Sequence, residues 1–178
     1  MTFVLISILV RFYLAERSRL AGAEEVYLDL ALVDQIINEA LVGLGDIYNL
    51  QFVDLGSGNG RVLIHIKRSG QFMNLMGVEK FWLLRFIARL RGQKSLGQDL
   101  RDLSMPKDWL GNNTLYYGFL RRALALKVLS GLARQLEVGT IVLLVTPEKI
   151  DSQDLGGDWR VLKNRELGRW WMLRVGKF

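Results

Sequence analysis

The densest group of chemically useful residues lies at positions 52–61, which read Phe-Val-Asp-Leu-Gly-Ser-Gly-Asn-Gly-Arg. An apolar run ends in a carboxylate, Asp54, and glycines follow at every second position: Gly56, Gly58 and Gly60. Because glycine has no Cβ, its backbone adopts positive φ at little cost and a ligand can approach it closely. The pattern predicts a strand that ends in a ligand-binding loop and continues into a helix.

The spacing and charge of this loop distinguish between classes of ligand. A dinucleotide loop has the spacing G-x-G-x-x-G and places a pyrophosphate at a helix N-terminus. Here the glycines alternate with other residues, and Asp54, two residues before the first glycine, would repel a pyrophosphate. No Walker-type lysine and hydroxyl pair follows the loop. A ligand with a cationic amino group and no phosphate fits better, so a nicotinamide-dependent oxidoreductase is the less favoured alternative.

Short apolar runs alternate with amphipathic segments along the rest of the chain. Five runs predict strands, of which the third is weak because it is polar: residues 50–55, 74–79, 94–100, 114–120 and 140–145. Two further runs, residues 159–162 and 170–175, predict an antiparallel hairpin. Strands that alternate with helices predict an α/β fold, a Rossmann-like, doubly wound and mostly parallel sheet. Ligands bind such sheets beyond the carboxyl ends of the strands, where the glycine loop would lie.

The pattern D-x-G-x-G-x-G after a strand resembles motif I of the class I S-adenosylmethionine-dependent methyltransferases. The resemblance extends roughly from Tyr27 to the C-terminus. It implies that S-adenosyl-L-methionine is the cofactor, that Glu79 accepts hydrogen bonds from the ribose hydroxyls, and that Asp99 lies near the adenine amino group, with Asp102 as the alternative. The implied cofactor-binding residues are Tyr27, Asp54, Gly56, Ser57, Gly58, Gly60, Glu79 and Asp99.

A narrower resemblance is to small bacterial methyltransferases and to the membrane-tethered protein-lysine methyltransferases similar to them. The matching pieces are an apolar N-terminal segment, an entry segment around Tyr27, the glycine loop, and an aromatic pair, Phe81 and Trp82, after Glu79. This resemblance implies a protein substrate, with lysine as the methylated side chain. Tyr117, near the end of the fourth predicted strand, is the candidate catalytic residue, and packing in the core is the alternative for it. A methyltransferase-like scaffold that binds without turnover is the alternative.

Composition excludes several kinds of site. The 178 residues contain no cysteine and one histidine, so thiolate and multi-histidine metal sites are excluded and no metal is expected. The net charge of +6 fits an ordinary basic surface, and among binding partners it favours an anionic membrane surface or an acidic protein. Nucleic acid is a less favoured partner, because no motif combines aromatic and basic residues for its recognition. The Asn-Pro-Pro-Tyr tetrapeptide of the enzymes that methylate amino groups of DNA bases is also absent.

The N-terminus combines apolar and basic residues. Residues 2–10 are almost wholly apolar and Arg11 follows, whereas a bilayer span needs about 20 apolar residues. A shortened membrane anchor, an interfacial helix and a core helix all fit this pattern. We therefore predict two parts: residues 1–20 as an apolar segment and possible membrane anchor, and residues 21–178 as a single methyltransferase-like domain. The predicted location is the cytoplasmic side, with possible membrane association.

Overall fold

The computed structural model describes residues 30–44, 49–165 and 170–176, and these form four α-helices and seven β-strands. The helices are α1 (Leu30–Leu44), α2 (Arg61–Ser69), α3 (Trp82–Leu90) and α4 (Arg122–Ala133). The strands are β1 (Gln51–Leu55), β2 (Asn74–Val78), β3 (Ser95–Leu96), β4 (Thr114–Phe119), β5 (Ile141–Val145), β6 (Trp159–Arg165) and β7 (Trp170–Val175). The apolar segment at 1–20 and Tyr27 lie outside the described residues, so the predicted division of the chain stays a prediction.

All seven strands join one sheet in the order β3-β2-β1-β4-β5-β7-β6. Strands β1 to β5 run parallel to one another, and β7 runs antiparallel to both β5 and β6. The predicted fold, a mostly parallel α/β sheet with an antiparallel C-terminal hairpin, is confirmed. The strand order reverses between β1 and β4, and in doubly wound sheets this is where ligands bind.

Two hydrophobic layers cover the two faces of the sheet. On one face, α1 and α2 contribute Ile36 and Leu63, which pack with Phe52 of β1. On the other face, Leu129 of α4 packs with Val53 of β1. Successive strand residues point to opposite faces, so a strand covered on both sides is apolar throughout. This accounts for the uninterrupted Ile-Val-Leu-Leu-Val of β5, all of which is buried.

Two strands differ from their predicted lengths. The run at 94–100 forms only the two-residue strand β3, and Asp99 then caps a 3₁₀ turn by accepting a hydrogen bond from the backbone N–H of Arg101. Conversely, β6 extends to Arg165, beyond its predicted end, because it remains paired with β7 after an irregularity between Val161 and Lys163. Pairing with the neighbouring strand β7 therefore overrides the polar character of residues 163–165.

In the parts of the chain that the structure describes, every helix is too short or too polar to cross a bilayer.

Candidate cofactor site

The glycine loop connects the end of β1 to the start of α2 and crosses the end of β2. The backbone N–H groups of Gly56 and Ser57 donate to the carbonyl oxygen of Val78, at 2.8 and 3.0 Å. The φ angles of Gly56, Gly58 and Gly60 are 84°, 54° and 79°. All three lie in the left-handed region that favours glycine, which explains why glycine occurs at every second position.

Glu79 follows β2 directly and is held beneath this loop. Its Oε2 accepts a hydrogen bond from the backbone N–H of Gly58 at 3.0 Å, and its Oε1 accepts one from Phe81 at 2.9 Å. A carboxylate oxygen accepts two hydrogen bonds, so each oxygen of Glu79 can accept one more. The fixed carboxylate is therefore suited to a ligand with two neighbouring hydroxyl groups, such as a ribose.

Arg85 of α3 fixes the backbone around Glu79. Its Nη1 donates to the carbonyl oxygens of Glu79 and Lys80, at 3.0 and 2.6 Å. A Cβ on Gly97, which follows β3, would lie 2.8 Å from the guanidinium carbon. Gly97 therefore makes room for the arginine. The role of Arg85 cannot be read from the sequence, because these contacts depend on the fold.

Gly77 is a second residue whose role the sequence did not reveal. A Cβ at this position would lie 2.3 Å from Oγ and 2.7 Å from Cβ of Ser57, so only glycine allows the loop to sit against β2. The Ser57 hydroxyl is buried and has no hydrogen-bond partner among the described residues. A glycine inside an apolar strand is a signal of close backbone approach, and that signal could have identified Gly77.

Asp54 is only 3% exposed and lies beside Gly77 of the neighbouring strand β2. Burial, and secondarily the charge of Glu79, raises the pKa of Asp54 to about 7. The site thus contains two buried carboxyl groups that destabilise each other's charge. A cationic ligand would relieve this repulsion, whereas a pyrophosphate would increase it.

Asp99 is engaged in ion pairs at the edge of the site. Its Oδ2 lies 2.8 Å from Nζ of Lys80 and 3.0 Å from Nη2 of Arg101, while Oδ1 accepts from the backbone N and Nε of Arg101 at 3.0 and 3.1 Å. These donors hold the pKa of Asp99 well below its usual range. Four donors already occupy both oxygens, so an adenine amino group would have to displace one of them. Asp102, the alternative, is exposed. The adenine role of Asp99 stays a prediction.

Tyr117 lies in the core between the sheet and its helices. It is 1% exposed, and its ring stacks on Phe52 with centroids 6.0 Å apart and an interplanar angle of 21°. Its hydroxyl has no hydrogen-bond partner among the described residues. Burial, and then the charge of Asp54, raises its pKa well above the usual value. The residue does not reach the surface where a substrate would enter, and its catalytic role stays a prediction.

The structure therefore brings together most of the residues expected at the cofactor site. Asp54, the glycine loop and Glu79 form one cluster at the carboxyl ends of β1 and β2. Asp99 adjoins this cluster through Lys80, and Tyr117 lies beneath it. Among the described residues, no group of three or more His, Cys, Asp or Glu side chains could hold a metal ion.

Comparisons with known proteins identify the fold but no sequence family. No protein-family model matches the chain, and no curated protein matches it in sequence. TrmN from Thermus thermophilus superposes with a TM-score of 0.64 at 16% identity, over 89% of this chain and 52% of the TrmN chain. The magnesium protoporphyrin IX methyltransferase ChlM from Synechocystis PCC 6803, solved with bound S-adenosylmethionine, gives 0.63 at 15% identity, over 96% and 97%. The chain has the fold of the class I methyltransferases.

Other solved structures with this methyltransferase fold differ in length. The ribosomal protein L11 methylase from Lactobacillus delbrueckii subsp. bulgaricus gives a TM-score of 0.55 at 18% identity, over 80% of this chain and 78% of that one. This chain spans about half of TrmN but nearly all of ChlM. The described residues therefore correspond to the sheet and helices that methyltransferases of different sizes share.

Proposed function

We propose that this protein is an S-adenosylmethionine-dependent methyltransferase. The observation that carries the proposal is the position of Glu79, whose two oxygens accept hydrogen bonds from Gly58 and Phe81 and can each accept one more. This carboxylate lies under a loop of three glycines with positive φ. A nucleoside with a free ribose and a cationic amino acid part matches both the hydrogen-bonding capacity of Glu79 and the charge of Asp54.

The cofactor, when bound, supplies a methyl group that is already activated by a sulfonium. The contribution of the protein is then mainly to hold the acceptor and the methyl group in line. Glu79 would hold the ribose hydroxyls, the backbone of residues 56–60 would line the methionyl part, and Asp54 would lie near its cationic end. Tyr27 belongs to the proposed site on the resemblance alone.

The finer proposal is that the acceptor is the side chain of a protein lysine. It rests on the resemblance of Glu79-Lys80-Phe81-Trp82 to the segment that follows the acidic residue in membrane-tethered protein-lysine methyltransferases. A lysine has an ordinary pKa of about 10.4, so it must lose its proton before it can attack. Burial beside the cofactor would favour the neutral amine. The names of the structural neighbours include a ribosomal protein, a porphyrin and a sugar, so the shared fold does not select the acceptor.

Equilibrium calorimetry with S-adenosylhomocysteine tests the first part of the proposal. The wild type should bind, and Glu79→Gln should weaken binding by roughly tenfold or more, because hydrogen bonds to a charged group are lost. Glu137→Gln is the matched control. This exposed glutamate precedes β5 and so lies at the amino-terminal ends of the parallel strands, opposite the glycine loop. Absence of binding by the wild type, or equal binding by Glu79→Gln, rejects the cofactor site.

Transfer from isotope-labelled S-adenosylmethionine to proteins of a cell lysate tests the second part. Mass spectrometry should find labelled methyl-lysine that is lost with Glu79→Gln and retained with Glu137→Gln. Cofactor binding without any labelled product would support the scaffold alternative. Labelled product on RNA or on a small molecule would keep the methyltransferase and reject the lysine.

A further inference from the structure

Helix α3 exposes apolar side chains on the face that points away from the protein. Trp82, Phe86 and Leu90 are 69%, 47% and 65% exposed. They are four residues apart and so form one line along the helix. Leu84 and Ala88, on the opposite side, are buried. These three side chains therefore lie outside the buried core.

Basic residues surround this apolar line. Residues 80–98 include five lysines and arginines and no aspartate or glutamate, but Lys80 pairs with Asp99 and Arg85 donates to backbone carbonyl oxygens. Arg89 is exposed beside the line, and Arg91 and Lys94 are exposed beyond the end of the helix. Phe81, 45% exposed, extends the apolar surface at the helix N-terminus. We call Phe81, Trp82, Phe86 and Leu90 with these cations the α3 surface.

This combination indicates an interfacial helix. A surface helix normally turns its apolar side inward and its polar side to solvent, whereas α3 has apolar residues on its outward side as well. Its nine residues span about 13 Å, too short to cross a bilayer but suited to lie in the plane of one. Aromatic and leucine side chains that insert below the headgroups, with arginines and lysines at their level, are typical of such helices.

We propose that the α3 surface docks on an anionic lipid membrane. The positive charge of this surface favours an anionic partner. Three neighbouring apolar side chains favour lipid acyl chains over a nucleic acid, because the affinity for a nucleic acid comes mainly from contacts with its phosphates. The proposal does not depend on methyl transfer. If the cofactor site is also correct, docking would bring it near the bilayer, because Glu79 lies only two residues before Phe81.

Trp82 provides a direct probe. All five tryptophans lie within the described residues, and the other four, Trp109, Trp159, Trp170 and Trp171, are at most 9% exposed. Titration of the full chain with vesicles of phosphatidylcholine and phosphatidylglycerol with brominated acyl chains should quench its fluorescence. The quenching should be lost in Trp82→Phe, while co-sedimentation with the vesicles is largely retained. Vesicles of phosphatidylcholine alone should quench weakly, and added salt should weaken the effect.

Apolar contact is tested with a double variant. Phe86→Ser with Leu90→Ser should reduce vesicle affinity by roughly tenfold or more, since two apolar side chains no longer insert. Val42→Ser with Val138→Ser is the matched control, because both valines are exposed, at 86% and 55%, on other parts of the surface. The control should bind vesicles like the wild type, and thermal unfolding should show that both variants are folded.

Three outcomes would overturn the proposal. Sedimentation with vesicles but no quenching of Trp82 would assign attachment to another segment, such as residues 1–20. Equal binding of the Phe86/Leu90 variant and its control would remove the apolar contact. Protection of Trp82 from acrylamide by single-stranded RNA, with none by vesicles, would assign the surface to nucleic acid.

Discussion

The backbone N–H of Gly58 lies 3.0 Å from Oε2 of Glu79, a residue 21 positions further along the chain. This bond ties the conformation of the glycine loop to the carboxylate at the end of β2. The same carboxylate is anchored from its other side by Phe81 at the start of α3. A change at either residue should therefore alter both the shape and the hydrogen-bonding capacity of the proposed cofactor site.

Gly58→Ala should lower cofactor affinity beyond what its backbone strain explains. No described atom lies within 4 Å of the position of a Cβ at Gly58, so the added methyl would project into the open space where the cofactor would lie. The positive φ of an alanine at this position costs about 1–2 kcal/mol whether or not the cofactor is bound, so it does not change the affinity. We expect roughly tenfold weaker binding of S-adenosylhomocysteine by calorimetry.

Gly70→Ala is the control for this change. Gly70 also has positive φ, 69° against 54°, and open space around its Cβ position, but it ends α2 at a distance from the loop. Urea denaturation should show a similar loss of stability in both variants. Equal cofactor affinities of the two would contradict the assignment of Gly58 to the site.

Gly77→Ala should destabilise the protein through Ser57. The added Cβ would lie 2.3 Å from Ser57 Oγ, so the loop or the strand must move. Overpacking of this kind costs about 1–3 kcal/mol, which urea denaturation measures. Ser57→Gly removes both close atoms, so the double variant should be more stable than the sum of the single changes predicts. Strictly additive losses would mean that the strain arises elsewhere.

Asp54 should make stability fall as the pH rises from about 4 to about 7. The folded state raises the pKa of this carboxyl to about 7, whereas the unfolded chain has the ordinary value of 3.8. Between these values the folded state holds one proton more, so the free energy of unfolding decreases with pH, by at most about 1.4 kcal/mol per pH unit. Denaturation at several pH values should show a smaller slope for Asp54→Asn.

Cofactor binding should respond to the same titration with the opposite sign. S-adenosylmethionine carries positive charge and favours the ionised carboxylate, so its affinity should increase as the pH rises through about 7. The increase should be absent in Asp54→Asn. An affinity that falls with pH over this range in the wild type would place the cationic part of the cofactor away from Asp54.

Tyr117→Phe distinguishes a core residue from a catalytic one. The hydroxyl is buried without a partner among the described residues, so its removal should leave stability unchanged or slightly higher. The ring would still stack on Phe52. Methyl transfer from labelled cofactor should continue at the wild-type rate. A loss of transfer with unchanged cofactor binding would establish the catalytic role instead.

Local patterns were sufficient to predict the elements around the site. Alternating glycines after an apolar run predicted the loop at Gly56–Gly60, and the structure gives a positive φ to each of the three glycines. The continuous apolar run of β5 predicted a strand buried on both faces. These predictions succeed because backbone conformation and the apolar pattern of a strand depend on residues that are neighbours in the chain.

Other features depend on residues that are distant in the chain. The need for glycine at position 77 comes from Ser57, which lies in the loop after β1. Asp99 contacts Lys80 and Arg101, which no spacing rule predicts. Tyr117 is buried in the core, whereas its strand position left both core packing and contact with a substrate open.

The sequence by itself determined the class of fold and the glycine loop, because these depend on local conformation and on the periodicity of apolar residues. The role of Glu79 came from the resemblance to a known family. The tertiary structure decided that Glu79 lies 3.0 Å from Gly58, that Asp54 is buried beside it, and that Trp82, Phe86 and Leu90 remain exposed. Distance, desolvation and exposure are set by packing between segments far apart in the chain.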